Sequence, residues 1–506
     1  MKYHTNCAKN TESNLPTRVI DVGPADGSSQ PFLMIPSEHH SLNRNGLDSV
    51  SSKRGKYVAL SYCWGTEPFL NTTLSTIKER KRGFAMDDLP QTIRDSVIIA
   101  RRLNIPYLWV DALCIIQGEG KAAQDDWKRE STRMKNIFSG AFLTISAASA
   151  KSAYHGILQK RQSQSFPHCR LTYNSCKDPG ICGSVSVGPD HVACHNSTEP
   201  LGRRAWALQE YFLSARVLTY GTSELSWKCN CAYIKENEPT PLPVLDKVIK
   251  SPEEIGWPQI VEDYCSRELT RNMDKLPALS GLVEALREVS GDKYVAGLWM
   301  SKLCSQLLWQ HCELPVKGRR EYSQSSKYRA PSWSWASVDG RIKFHDLNAI
   351  TQCKARVIRC SISSSASHGL GLVSSGKLVI SGFMKRMPTI RCTLSASYYG
   401  GYENYLPWMR IHDGVKTFLD DVDSLRGRSR KITGGTSREL LDSWFFWVGV
   451  GDGRGVEYKK GAGLILLPNN HHSPLYPVFK RVGMFTWEGH ITELKEKGTW
   501  RTIVIT

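Results

Sequence analysis

Three short apolar runs, Tyr57 to Tyr62, Tyr107 to Val110 and Ala141 to Ala148, are separated by stretches of helical periodicity. This alternation constrains the fold more than any other feature of the chain. After the first run, Asp87-Asp88-Leu89-Pro90 supplies the acidic residues and the proline that favour a helix start. Ile93, Val97 and Ala100 then fall on one helical face, and Asn104 and Pro106 end the helix. After the second run, a helix from about Gln124 to Phe138 puts Trp127, Ser131, Met134 and Phe138 on one face, with Asp125 and Asp126 at its amino end. Parallel strands need crossovers of this kind. The order therefore predicts an α/β domain, a parallel sheet covered by helices.

The remaining chain differs in texture. Residues 1–55 are polar and rich in Ser, Asn and Gly, and read as a loosely structured leader with one strand near Phe32 to Ile35. The α/β domain spans 56–230, with an insertion at about 151–202 where periodicity weakens. Residues 231–341 read as a helical region ending in an extended aromatic segment, Pro331 to Ser337, with Trp333 and Trp335 on the same face. From 342 to 506, alternating runs predict a β-rich region: Lys377 to Phe383, Trp444 to Val450, Leu464 to Leu467 and Gly483 to Trp487.

The net charge of +18 is diffuse. Without zinc-finger spacing or an RNA-binding signature, nucleic acid is not an expected partner. No signal peptide opens the chain and no run of about 18 apolar residues occurs, so an intracellular, cytoplasmic protein without a membrane span is expected. Its cysteines are then mostly reduced. Cys169, Cys176, Cys182, His191, Cys194 and His195, followed by Cys229 and Cys231, fit no paired zinc spacing; scattered thiols without a metal are expected. No phosphate-binding G-x-x-x-x-G-K-[ST] motif is present.

The carboxyl ends of parallel strands are where ligand sites open. The first strand stops at Cys63-Trp64-Gly65, so Ser61, Tyr62, Trp64 and Gly65 either line a nucleotide site or build a tight aromatic turn. Asp111, after the second strand, is a candidate acid or a cap on the following turn. Cys114 has no histidine close in sequence to activate it and reads as a packed thiol. Gln117 serves ligand or backbone. Trp206 and Glu210 share a helical face. Glu210 is either a catalytic carboxylate or a buried partner of Arg203, Arg204 or Arg216. Glu130, beside the Trp127/Met134 stripe, is a third candidate.

Four ordered blocks carry a family likeness: YVALSYCWG, DDLPQTIRDSVIIARRLNIPYLWVDALCIIQ, DWKRESTRMKNIFSGAFLTISAASA and RRAWALQEYFLSARVLTY. They resemble the fungal heterokaryon incompatibility (HET) domain. CSRELTRNMDKLPALSGLVEAL and YRAPSWSWASVDG resemble segments that often follow it in long HET proteins. The resemblance implies non-self recognition, in which fusion of incompatible hyphae triggers programmed cell death. It also implies a distant relation to TIR domains, whose flavodoxin-like fold can cleave NAD through a glutamate in a Trp-Cys-x-x-Glu pattern. Trp206 and Glu210 have that spacing, with Ala207 in place of the cysteine. The implied chemistry is hydrolysis of NAD as a substrate, without a tightly bound cofactor. Glu210 is then the catalytic candidate, followed by Asp111 and Glu130. The implied partners are further copies of the chain and an incompatibility partner protein. The alternative is a non-catalytic signalling module acting by self-association or partner binding.

Overall fold

The computed structural model describes residues 7, 12–38, 54–161, 169–174, 182–187, 199–236, 238–243, 256–312, 328–345, 352–364, 372–393, 408–410, 415–419, 429–431, 437–453, 455–469, 473, 475–490 and 498–506. The chain divides into two units, 1–248 and 249–506.

The first unit is built on one nine-stranded sheet. Its strands are β1 (Val19–Asp21), β2 (Phe32–Met34), β3 (Tyr57–Ser61), β4 (Tyr107–Trp109), β5 (Leu143–Ser146), β6 (Arg216–Tyr220), β7 (Leu225–Cys229), β8 (Ala232–Lys235) and β9 (Glu238–Pro243). They lie side by side in the order β9-β8-β7-β6-β5-β3-β4-β1-β2. The central four, β4, β3, β5 and β6, are parallel; every other pairing is antiparallel. In chain order the parallel strands run 2-1-3-4, so the strand order reverses beside β3. All five residues of β3 and all four of β5 are buried, as expected for central strands covered on both faces.

Helices α1 (Gln91–Arg102), α2 (Asp111–Cys114), α3 (Lys121–Ser131), α4 (Met134–Gly140) and α5 (Ala205–Leu213) connect these strands. Pro90 is the amino cap of α1, just after a short turn over Met86–Asp88. The helix expected over 124–138 is two helices instead. The Ser131 hydroxyl donates to the Lys128 carbonyl (3.0 Å) and the Thr132 hydroxyl to the Arg129 carbonyl (2.8 Å). These side chains compete for the helix's own acceptors just where it breaks. The leader also departs from expectation. Besides β2, it contributes β1, which pairs with β4 and extends the main sheet. Among the described residues of the insertion, Cys169–Asn174 pairs antiparallel with Cys182–Val187.

In the second unit, α6 (Trp257–Cys265) and α7 (Ser280–Ser290) accompany a cluster of fully buried tryptophans: Trp257, Trp299, Trp309, Trp333 and Trp335. The Gly297 carbonyl accepts from the indoles of Trp257 (3.0 Å) and Trp335 (2.8 Å). Gly297 has a φ of 105°, and a Cβ there would lie 2.6 Å from the Trp335 indole nitrogen, so only glycine fits. The Pro331–Ser337 segment is not extended throughout: Ser334 caps a short 3-10 turn at Trp335–Ser337. Next come α8 (Leu303–Gln306), β10 (Gln352–Cys353), β11 (Arg356–Ser364), β12 (Val373–Thr393), β13 (Ser437–Gly453), β14 (Gly455–Pro468), β15 (Val478–His490) and β16 (Thr499–Ile505). Pairing runs β13-β12-β16-β15-β14 and back to β13, a closed circuit of five strands. Phe446, Leu464, Met484, Ile380 and Ile505 are wholly buried in these strands, and Phe445 stacks on Phe485 with centroids 4.3 Å apart. Each β-run expected after residue 342 lies inside one of these strands.

Candidate functional site

The carboxyl ends of the parallel strands gather loops from distant parts of the first unit. β3 delivers Ser61, and the chain then turns through Tyr62, Cys63, Trp64 and Gly65. Gly65 has a φ of 84°, and a Cβ there would lie 2.5 Å from Ser152 Cβ. A side chain is thus excluded by both conformation and space, and the turn after β3 presses directly on the loop after β5. Backbone bonds fix the contact: Ala153 N donates to the Trp64 carbonyl (3.2 Å), and Thr92 N to the Ala153 carbonyl (2.8 Å). Asp95 completes it, accepting from the backbone of Ile157 (2.7 Å) and Leu158 (3.0 Å) and from the Gln91 side chain (2.7 Å).

Against this turn lies α5. The Ser61 hydroxyl donates to Glu210 Oε2, joining residues 149 apart in sequence. Glu210 is 7% exposed and Ser61 4%. At the start of α5, Arg204 donates to the Tyr62 carbonyl. Burial works against the Arg204 charge, but the carboxylates of Glu210 and Asp111 outweigh it and raise its pKa. Arg204 is thus the cation that both candidate carboxylates share. Ala207, at the position of the cysteine in the Trp-Cys-x-x-Glu pattern, packs with Cys63 and Leu201. Trp206 meets Trp127 of α3 edge to face at 6.3 Å.

Asp111 opens α2 at the end of β4. The Trp64 indole donates to both its carboxylate oxygens (3.1 and 2.9 Å), and Ala112 N donates to Oδ1 (2.7 Å). The residue keeps some exposure, yet its carboxyl is surrounded by protein. Burial raises its pKa, against the opposing pull of Arg204 and the hydrogen bonds from Trp64 and Ala112. The Tyr62 hydroxyl is fully buried and interacts with the Asp111 carboxylate. Burial pushes its pKa well up. Phe69 packs edge-on against Trp64 (5.4 Å) and Tyr62 (6.5 Å), completing an aromatic wall. No sequence pattern pointed to Phe69.

The raised pKa of Asp111 has a consequence for stability. The folded state holds this proton more tightly than the unfolded chain, so deprotonation costs stability as pH rises through the raised pKa. Asp111→Asn removes that cost while keeping an acceptor for Trp64. Its urea midpoint is expected to exceed the parent's at neutral pH, with the difference vanishing below about pH 4, where an unfolded aspartate is protonated too. A parent advantage at neutral pH would contradict this account.

The other candidates sit elsewhere. Glu130 is buried on α3 and accepts from Thr17 (2.9 Å) and Arg129 (3.3 Å), with Arg133 at 3.8 Å. Beside it the buried Arg18–Asp126 pair ties the leader to the same helix. This network lies on α3 and the leader and reaches the end of α2, where Arg18 donates to the Cys114 carbonyl (2.5 Å) and Ile116 N to Asp126 (2.8 Å). Gln117 turns back on its own loop, donating to the carbonyls of Ile115 (3.0 Å) and Asp111 (3.4 Å). Cys114 is buried, and burial pushes its thiol up to about 12, which suits a packed thiol and not a nucleophile. The metal question raised by Cys169, Cys176, Cys182, His191, Cys194 and His195 lies outside the described side chains. Cys229 and Cys231 join Cys7, whose thiol donates to Cys231 Sγ at 3.4 Å. No group of metal-binding geometry occurs among the described residues. A cavity of about 780 Å³, lined by Tyr328, Arg359, Lys377 and Tyr476 among others, lies in the second unit and contains none of the candidates.

Fold and site together define a parallel α/β domain with acidic, cationic and aromatic side chains converging where the strand order reverses. Residues 57–210 match the family model described as Heterokaryon incompatibility protein (HET). The chain carries a HET domain, which implies a heterokaryon incompatibility-type function. Comparison with curated proteins finds no match, and comparison with solved structures finds none. No helix among the described residues is long and apolar enough to cross a membrane.

Proposed function

We propose that the HET domain is an effector of fungal non-self recognition that cleaves NAD at the nicotinamide–ribose bond, and that NAD loss drives programmed cell death. The observation that carries this reading is the Ser61–Glu210 hydrogen bond, which holds the α5 carboxylate against the end of β3. The 2-1-3-4 order of the parallel strands supports a flavodoxin-like, TIR-like sheet, whose ligands bind at this edge.

The residues divide the work as follows. Loss of nicotinamide leaves positive charge on the ribose, which the Glu210 carboxylate stabilises. Water then adds to the ribose carbon, and its proton passes to a carboxylate. Asp111, with its raised pKa, suits that role. Arg204 offers a cation for the pyrophosphate, and the Trp64 ring a surface for a base. The Tyr62 hydroxyl, buried beside Asp111, helps to hold that carboxylate in place. Glu210 is only 7% exposed, so substrate entry requires the cluster to open; self-association into a homo-oligomer is the step we tie to that opening.

The same burial favours a second reading, a non-catalytic module in which Glu210 only ties α5 to β3 and signalling follows from self-association or partner binding. The full chain incubated with NAD over a range of protein concentrations separates the two. Release of nicotinamide and ADP-ribose, rising more steeply than protein concentration, is expected. Intact NAD at every concentration, with cell death on expression undiminished, would leave the second reading standing.

A further inference from the structure

The second unit holds a pair of cysteines that the HET-domain chemistry does not involve. Cys304 lies on the short helix α8, and Cys353 ends β10, where it pairs with Gly449 at the edge of β13. Both sulfurs reach the same acceptor: Cys353 Sγ is 3.1 Å from the Ala355 carbonyl oxygen and Cys304 Sγ is 3.6 Å from it. Cys353 Sγ also lies 3.5 Å from the Val448 carbonyl oxygen. Their environments differ. Cys353 is exposed and Cys304 partly buried. Its interaction with Cys304 lowers the Cys353 thiol to about 7, whereas the same interaction and burial push Cys304 up. Cys353 is therefore the accessible sulfur of the pair, with Cys304 held against the same carbonyl. Thiolates, not thiols, attack disulfides.

We propose that Cys353 and Cys304 form a thiol–disulfide exchange site that takes a small-molecule disulfide of the glutathione class. The Cys353 thiolate attacks one sulfur of the disulfide, forming a mixed disulfide and expelling one small thiolate. The Cys304 sulfur then attacks Cys353 Sγ, its proton passes to solvent or to the leaving sulfur, and the second small thiol departs. Two protein thiols are oxidised to one disulfide, and one small disulfide is reduced to two thiols. The product bond joins α8 to β10, so oxidation fastens that helix to the sheet edge. Cys265 and Cys360 are buried, with thiols pushed up to about 11, and serve as internal controls that should not react.

The test treats the full chain with glutathione disulfide near neutral pH, blocks remaining thiols by alkylation and maps peptides by mass spectrometry. The expected product is a cross-link between the Cys304 and Cys353 peptides, formed at least tenfold faster than any modification of Cys265 or Cys360. Cys304→Ser should trap Cys353 as the glutathione mixed disulfide. Cys353→Ser should lose both the adduct and the cross-link. The proposal falls if Cys353→Ser leaves Cys304 equally reactive, if Cys304→Ser gives no adduct, or if hydrogen peroxide forms the cross-link and glutathione disulfide does not. A protease digestion pattern matching the parent's establishes that each variant is folded.

Discussion

Replacing Glu210 by glutamine is expected to lower NAD cleavage by a factor of about 100 to 1000, the effect typical of removing one preorganised electrostatic group from a site. The substitution is nearly isosteric. The amide oxygen still accepts from Ser61, so the bond that holds α5 to β3 survives. Only the charge opposite the developing oxocarbenium is lost. Nicotinamide release by the full chain and NAD content on expression are the measurements, with a urea melt as the check on folding. A variant that melts like the parent and has lost activity assigns the chemistry to the carboxylate. A variant that depletes NAD and kills as efficiently as the parent removes Glu210 from catalysis.

The largest effect on stability is expected at Arg204. Arg204→Met keeps much of the aliphatic volume but deletes the cation shared by Glu210 and Asp111. The Tyr62 carbonyl loses its donor as well. Removing one member of a buried charge cluster costs about 3–5 kcal/mol, because the remaining charges are left without compensation. Arg204→Lys should recover only part of this, since an ammonium cannot reproduce the planar fork of the guanidinium. Combining Arg204→Met with Glu210→Gln should cost less than the sum of the single changes, because the stranded carboxylate is gone. Urea midpoints across these four proteins measure the coupling. A midpoint for Arg204→Met equal to the parent's would show that the guanidinium carries no such burden.

The sequence makes the parallel sheet legible because the signal is local. β3, β4 and β5 are apolar runs bounded by turn residues, and α1 has an unbroken apolar face. β1 escaped because its apolar pair, Val19 and Ile20, lies in a polar leader; pairing with β2 and β4 makes it a strand. The break between α3 and α4 escaped because apolar spacing continues across it, while the hydroxyls of Ser131 and Thr132 act on the backbone. The Trp206–Glu210 spacing was legible in the same local way. That Glu210 reaches Ser61, that Arg204 serves Asp111 as well as Glu210, and that Phe69 closes the wall are contacts between distant stretches. No pattern along the chain encodes them. Arg216, for its part, donates to the Phe142 carbonyl and lies over the Phe142 ring.

The clamp on the loop after β5 also determines how this domain can vary. Asp95 grips the chain at Ile157 and Leu158, and the chain is caught again where Leu201 N donates to the Ala148 carbonyl (3.2 Å) and Glu199 accepts from Thr222 (2.8 Å). Between these anchors the chain can lengthen at little energetic cost, since closing a longer loop is only slowly more expensive. The anchors on either side of 159–198 thus keep the Gly65 turn and α5 in register independently of that stretch's length. Length differences between the anchors would therefore reach the parallel-strand edge only if they strained the Asp95 or Glu199 bonds.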